Sequence, residues 1–370
     1  MDFEFTDDQL HLRESARKVL GSACPPSLVR AVFEGTADGG DLWATLVGLD
    51  WPGLGIDERH GGLGLGFLEV GILVEELGRV VAPTPYLATI TQLVPLVQEA
   101  GSSFLLADLA GGRTTGSLAI AEDGQWRLDA VQATARAAGD GWVLEGTKTH
   151  VLDGDRAEEI AVVARTDGGL GAFVVPGEAV RRGRAGQLID PTLPVATITL
   201  DEVEVAGERV LVEPGDPAAD TVIARAMEQA TVAMALSTVA TCRAIFEVTL
   251  QYAKDREQFG KAIGSFQALK HRLAECYLAV ERASALSYFA ALTIAEDDPR
   301  RAVAASMAKA AAGECQRLVV RDGLQLHGGI GFTWENDLHL LLKRAKAGDL
   351  LFGGAAFHRA RLAELLGLAA

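Results

Sequence analysis

Arg256 and Gln258 follow a long apolar stretch, and Gln325 is followed closely by Gly328 and Gly329. A guanidinium can give paired, charge-assisted hydrogen bonds to a phosphate. An amide can add another, and glycine lets the backbone approach such a group with no Cβ in the way. Each residue also has a plain reading: Arg256 and Gln258 as solvated residues at a helix end, Gly328 and Gly329 as an ordinary helix stop. Other chemistries are poorly served. Gly62, Gly64 and Gly66 have the wrong spacing for a dinucleotide fingerprint, and no P-loop, H-E-x-x-H or G-x-S-x-G pattern occurs. The seven histidines are scattered, with His11 and His60 reading as surface residues, so no metal site is expected. Cys24, Cys242, Cys276 and Cys315 form no C-x-x-C pair, which suits buried, reduced thiols and a cytoplasmic setting.

These residues need elements to carry them, and the patterning supplies three blocks along 370 residues. Residues 1–112 read as a helical domain, 113–215 as a β-domain of mostly antiparallel strands, and 216–370 as a helical bundle, an α+β arrangement. Thr6 is the expected cap of a first helix with Asp7 and Asp8 in its first turn and Leu10, Ala16, Val19 and Leu20 on its apolar face. A second helix starts at Phe67, with Val70, Leu73, Val74 and Leu77 on one side. Strands are expected at 118–121, 142–147, 160–165, 172–175, 196–200 and 203–205, with Gly139-Asp140-Gly141 as a turn. Ser265 is placed as the cap of a helix whose inward face is Leu269, Leu273, Cys276, Tyr277 and Val280. Another helix covers 301–324 and breaks at Gly328, and two more lie near 337–345 and 355–366.

The net charge of −16 argues against nucleic acid or an anionic membrane as a partner. The N-terminus, MDFEFTDDQL, lacks a basic-then-apolar signal pattern. The stretch 231–250 carries Arg243 and Glu247 and reads as too polar to cross a bilayer.

Four segments carry a resemblance: DERHGGLGLGFLEVGILVEELGR (57–79), GWVLEGTKTHVLDG (141–154), YAKDREQFGKAIGSFQALKHRLAE (252–275) and QLHGGIGFTWE (325–335). Together, and in this order, they resemble the acyl-CoA dehydrogenase family over essentially the whole chain. The resemblance implies FAD lying across a subunit interface, its adenosine diphosphate end gripped by the neighbouring chain through Arg256, Gln258, Phe259, Gln325, Gly328 and Gly329. Gln267 matches the glutamine of the family signature.

The same resemblance implies losses. His150 stands where the family has a tryptophan on the flavin ring, and Leu152 where it has a hydroxyl near flavin N5. The family's Gly-Ser-Asp loop is replaced by DGQWRLDAVQA, in which Gln125 or Trp126 are the candidates to compensate. Phe352 occupies the position of the catalytic glutamate, and His358 and Asp349 read as a polar helix-end residue and a solvated neighbour. Some members carry the base earlier. Counting back from Arg256 puts that position at Ala230, with Glu228 two residues before it and about 200° around a helix. Glu228 therefore reads as a charged residue in a helical first turn and only a weak base candidate.

A chain that keeps the grip on a neighbour's flavin and lacks its own catalytic groups resembles the non-catalytic partner subunits of actinobacterial-type heteromeric (α2β2) acyl-CoA dehydrogenases. That implies a catalytic homologue as partner, with acyl-CoA and an electron-transfer acceptor reached through the complex. Two other readings stay open: a self-sufficient homo-oligomeric dehydrogenase using a base such as Glu228, and a CoA-ester binding or scaffold protein without redox chemistry.

Overall fold

The computed structural model describes residues 4–184 and 188–368; residues 1–3, the start of the segment read for a targeting signal, lie outside them. The first helix, α1 (Asp7–Ala23), opens on a capping box, in which Gln9 N–H donates to the Thr6 hydroxyl and Thr6 N–H to the Gln9 side chain. Ala16 and Leu20 are its buried residues, whereas Leu10, expected beside them, is exposed. There follow α2 (Pro26–Phe33), α3 (Gly40–Val47), α4 (Phe67–Arg79), a short α5 (Tyr86–Ala88), a π turn (Thr89–Leu93), α6 (Val94–Glu99) and α7 (Leu106–Ala110). Val70, Leu73, Val74 and Leu77 of α4 are all buried.

Among the described residues the β-block holds eight strands: β1 (Gly116–Ala119), β2 (Thr134–Ala138), β3 (Gly141–Leu152), β4 (Glu159–Thr166), β5 (Gly169–Pro176), β6 (Arg181–Arg184), β7 (Val195–Val205) and β8 (Val210–Val212). They form one sheet in the order β6-β7-β3-β2-β4-β5-β8, with β1 on β4. Most pairs are antiparallel, but β1 and β2 each pair with β4 in parallel, so the sheet is mixed. The runs expected at 196–200 and 203–205 are one strand, β7. β2 escaped the sequence reading because TARAA has three alanines and no large apolar residue to mark a buried face. Leu144, Val162, Phe173, Val175 and Ile198 sit at the centre of the sheet's apolar core.

The C-terminal elements are α8 (Ala219–Asp255), a hairpin of β9 (Glu257–Gln258) and β10 (Lys261–Ala262), then α9 (Gln267–Ala295), α10 (Arg301–His327), α11 (Leu338–Leu350) and α12 (Ala355–Leu365). Ser265 does not cap α9. The cap position is Phe266, with no side-chain bond, because Ser265 is used in the preceding 3-10 turn. Tyr277, expected on the inward face, is 48% exposed. The stretch read as too polar for a bilayer belongs to α8, one of two helices among the described residues with the length and hydropathy of a span. Its most apolar window is 78% buried within the protein, as in a core helix.

The chain divides into two compact units: Met1–Gly39, Phe67–Pro83 and Thr231–Ala370 make one, and Gly40–Gly66 with Thr84–Ala230 the other. In the first, α4 approaches α8 through glycine. A Cβ on Gly78 would lie 2.7 Å from the Ser237 carbonyl oxygen, and one on Gly71 3.0 Å from the Leu236 side chain. In the second, the Thr89 hydroxyl bridges both backbone groups of Gly116 at the start of β1, and Glu99 of α6 accepts from Arg225 and Gln229 of α8.

Candidate functional site

The segment after α8 turns at once into the β9–β10 hairpin because Phe259 and Gly260 both adopt positive φ, 53° and 78°. Two successive left-handed residues are what a two-residue hairpin needs. The hairpin's base closes through Ile263 N–H to the Arg256 carbonyl, and Gly264 passes so near α8 that a Cβ would meet the Ala253 carbonyl oxygen at 2.8 Å. Arg256 and Gln258 are exposed, and Phe259 at the tip is 91% exposed. Beneath lies an apolar cluster of Ala253, Leu273 and Leu326, with Leu250, Ile263 and Leu269 packed against it.

Leu326 joins this cluster to the second arm. Helix α10 stops at His327 because Gly328 takes φ 62°, and a 3-10 turn, Gly328–Phe332, follows. A Cβ added at Gly329 would meet nothing within 4 Å, so its backbone faces open space. Gln325 is exposed and lines a cleft of about 470 Å³ with Arg272, Glu275, Arg321 and Asp322. Asp322 is fully buried and accepts from the Arg321 guanidinium at 2.9 and 3.1 Å, with Arg272 3.5 Å away. Two arms on one cluster, one with an exposed guanidinium and the other with bare backbone, suit the phosphate end of a dinucleotide. Gln267 starts α9 and is exposed.

The positions expected beside the flavin ring are built differently. Leu152 is buried, and the Ser117 hydroxyl donates to its carbonyl. His150 is exposed, at φ 55° within an irregularity of the β3–β7 pairing, and its ring lies 6.4 Å from Trp126. Trp126 is itself buried, in a loop tied by reciprocal backbone bonds between Glu122 and Gln125. The loop hangs on a buried ion pair: Lys148 Nζ is 2.5 Å from Glu122, which also accepts from the Gln132 and Ala133 N–H groups. Burial, opposed by Glu122, lowers Lys148 below the usual lysine range. Burial works against Glu122 too, yet the bonds from Lys148, Ala133 and Gln132 together hold its carboxyl below the ordinary value.

Phe352, the residue expected at the base position, is buried and held at φ 58°, a conformation uncommon for a bulky side chain. The turn around it is fixed from outside. Lys309 Nζ donates to the carbonyls of Asp349 and Gly353 at 2.9 and 2.8 Å, and His358 Nε2 lies 2.8 Å from the Phe352 carbonyl. His358 is 2% exposed rather than a polar helix-end residue; burial, then the charge on Lys309, pushes its imidazole down to about 3. Asp349 is likewise not simply solvated: one oxygen is 3.1 Å from Lys346, and the other is buried without a hydrogen-bond partner. Burial, against the pull of Asp349, lowers Lys309 to about 7. The sequence reading missed Lys309, although a single lysine inside the alanine run SMAKAAAG hinted at a buried amine.

Glu228 corrects another expectation. It lies well inside α8, which begins at Ala219, and it is 8% exposed rather than solvated in a first turn. Ala230 is buried as well. The four cysteines are free and buried, and among the described residues no three His, Cys, Asp or Glu side chains group to hold a metal.

Comparison with known proteins agrees with this architecture. Family models described as "Acyl-CoA dehydrogenase, N-terminal domain" and "Acyl-CoA dehydrogenase, C-terminal domain" match residues 6–105 and 221–367. The acyl-CoA dehydrogenase IpdE2 of Mycobacterium tuberculosis is 32% identical over 348 residues, covering 92% of this chain and 91% of its own. The ChsE4-ChsE5 complex from Mycobacterium tuberculosis contains a chain of TM-score 0.91 and 26% identity, with both chains fully covered. The Tcur3481-Tcur3483 steroid acyl-CoA dehydrogenase, as a G363A variant, gives TM-score 0.87 and 30% identity over 98% of each chain. The chain belongs to the acyl-CoA dehydrogenase family of FAD-binding oxidoreductases.

Proposed function

We propose that this chain is the non-catalytic, FAD-completing subunit of a heteromeric acyl-CoA dehydrogenase. A bound FAD would supply the acceptor for the hydride that leaves the acyl β-carbon. Dehydrogenation also needs a carboxylate within reach of the α-proton. The observation that carries the reading is an asymmetry. Arg256, Gln258, Phe259, Gln325, Gly328 and Gly329 stand on two exposed arms suited to a phosphate end. The turn that should present the base instead holds Phe352, buried and unable to take a proton. The ring-side positions carry a buried Leu152 and a loop closed around Trp126. Likeness to a chain of the two-component ChsE4-ChsE5 assembly supports a partner of the same fold.

The test is co-expression with an acyl-CoA dehydrogenase homologue that carries the catalytic glutamate. Arg256→Ala in this chain is expected to lower flavin retention by the pair about tenfold, the size of one lost charge-assisted contact. Retention unchanged by that substitution would remove the assigned role. Burial of Glu228 within α8 favours one second reading, a self-sufficient dehydrogenase with that carboxylate as base. It requires acyl-CoA-dependent reduction of an acceptor by the chain alone, abolished by Glu228→Gln.

A further inference from the structure

The two arms of the clasp are some seventy residues apart in sequence, and to grip one phosphate group they must keep a fixed spacing. Tyr252 lies in the last turn of α8, and its carbonyl accepts from the Arg256 N–H at 2.9 Å. His327 is the last residue of α10, next to Gly328. The two rings stack, with centroids 4.4 Å apart and planes 19° from parallel, and the Tyr252 hydroxyl is 3.5 Å from the His327 carbonyl. His327 is 4% exposed, and its Nδ1 lies 2.8 Å from the Gly323 carbonyl, which fixes Nδ1 as the N–H and sets the plane of the ring. One ring from each arm thus meets the other directly behind the exposed atoms. The far end of the glycine turn is anchored separately: Trp334 stacks on His339 at 4.6 Å, donates to Glu34, and lies 4.9 Å from the Lys343 ammonium. Between these anchors, a Cβ at Gly328 or Gly329 would meet nothing within 4 Å, whereas Gly331 is buried and one there would lie 3.0 Å from the His327 side chain.

We propose that Tyr252 and His327 are positioning residues that lock the Arg256 hairpin to the Gly328–Phe332 turn, so that both arms meet FAD as one unit. This rests on the reading of the arms as a cofactor clasp. Neither side chain needs to touch the cofactor; each sets where a contacting residue stands.

The experiment strips flavin from the co-purified pair and titrates it back with FAD. Tyr252→Leu is expected to weaken FAD binding roughly tenfold, while the thermal midpoint of the flavin-free pair moves by no more than about 2 °C. Tyr252→Phe keeps the stack and should stay within about twofold of the wild type. His327→Gln, which keeps a donor toward Gly323 without a ring, should reproduce the Tyr252→Leu loss, and it carries the test if Tyr252→Leu fails to assemble. A double-mutant cycle separates positioning from mere stability. Arg256→Ala and Gly329→Ala should be non-additive in the wild-type background and additive beside Tyr252→Leu. Wild-type FAD binding by Tyr252→Leu or His327→Gln, with Arg256→Ala still defective, would overturn the lock and leave the clasp standing. Unchanged binding by Arg256→Ala would overturn the clasp, and the lock with it.

Discussion

At Phe352 the backbone and the side chain make different demands. Lys309 and His358 hold the surrounding carbonyls, and the residue is forced to φ 58° whatever its side chain. Removing a buried phenylalanine ring normally costs about 3–5 kcal/mol. In a left-handed position glycine should be the better replacement by about 1 kcal/mol, reversing its usual disadvantage to alanine. Urea denaturation of Phe352→Gly and Phe352→Ala checks this; an equal or greater loss for glycine would show that the backbone is not the constraint. His358 supplies a pH dependence. Its folded pKa, about 3, lies below the ordinary value of 6.5, so between those values the unfolded chain binds more protons than the native one. Stability therefore rises with pH across that window and is lost as pH falls from about 6.5 toward 3. His358→Gln should flatten the part of this acid limb above about pH 5, where few carboxylates titrate. An unchanged slope there would mean that the ring is protonated in the native state. Phe352 could be singled out in the sequence as the expected base position because the flanking residues keep a recognisable order. Sequence reading could not see that His358 and Lys309 are buried, since burial of a polar side chain depends on helices that meet only in the fold.

Among the elements, the loop leading from β1 toward β2 depends on an ion pair whose partners are 26 residues apart. Leaving Glu122 without Lys148 strands a buried charge, a loss of about 3–5 kcal/mol. Lys148→Met should therefore destabilise the chain by that order, and Glu122→Gln added to it should restore a substantial part. Strict additivity of the two in denaturant titrations would deny the coupling. The glycine turn offers a different contrast. Gly329→Ala meets no neighbour and should fold like the wild type, whereas Gly328→Ala, at φ 62°, should lose about 1 kcal/mol. Equal stability of the two variants would contradict the assigned turn. Patterning made α4 and the break of α10 at Gly328 legible, because each is a local signal of apolar spacing or a glycine stop. It missed β2, which has no large apolar residue, and misplaced the cap of α9, because a short 3-10 turn absorbs Ser265.

Across the whole molecule, the linear order of helical, β and helical segments does not decide how they associate. Helices α1, α2 and α4 group with most of the C-terminal helices, while the segment 40–66 groups with the sheet. Small residues such as Gly71 and Gly78, which permit α4 to approach α8, are visible in the sequence, but their partners are more than 150 residues away. The arms around Arg256 and Gly328 were legible as motifs, and what only the fold reveals is that they share one apolar cluster. The central claim is that this chain grips a flavin it does not itself employ. Flavin stoichiometry tests it most directly, by absorbance after purification of the full-length chain alone and together with its co-expressed homologue. The account predicts little bound flavin and no acyl-CoA-dependent reduction for the chain alone, and about one FAD per heteromeric pair. One FAD per chain in the isolated protein, bleached by an acyl-CoA, would contradict it.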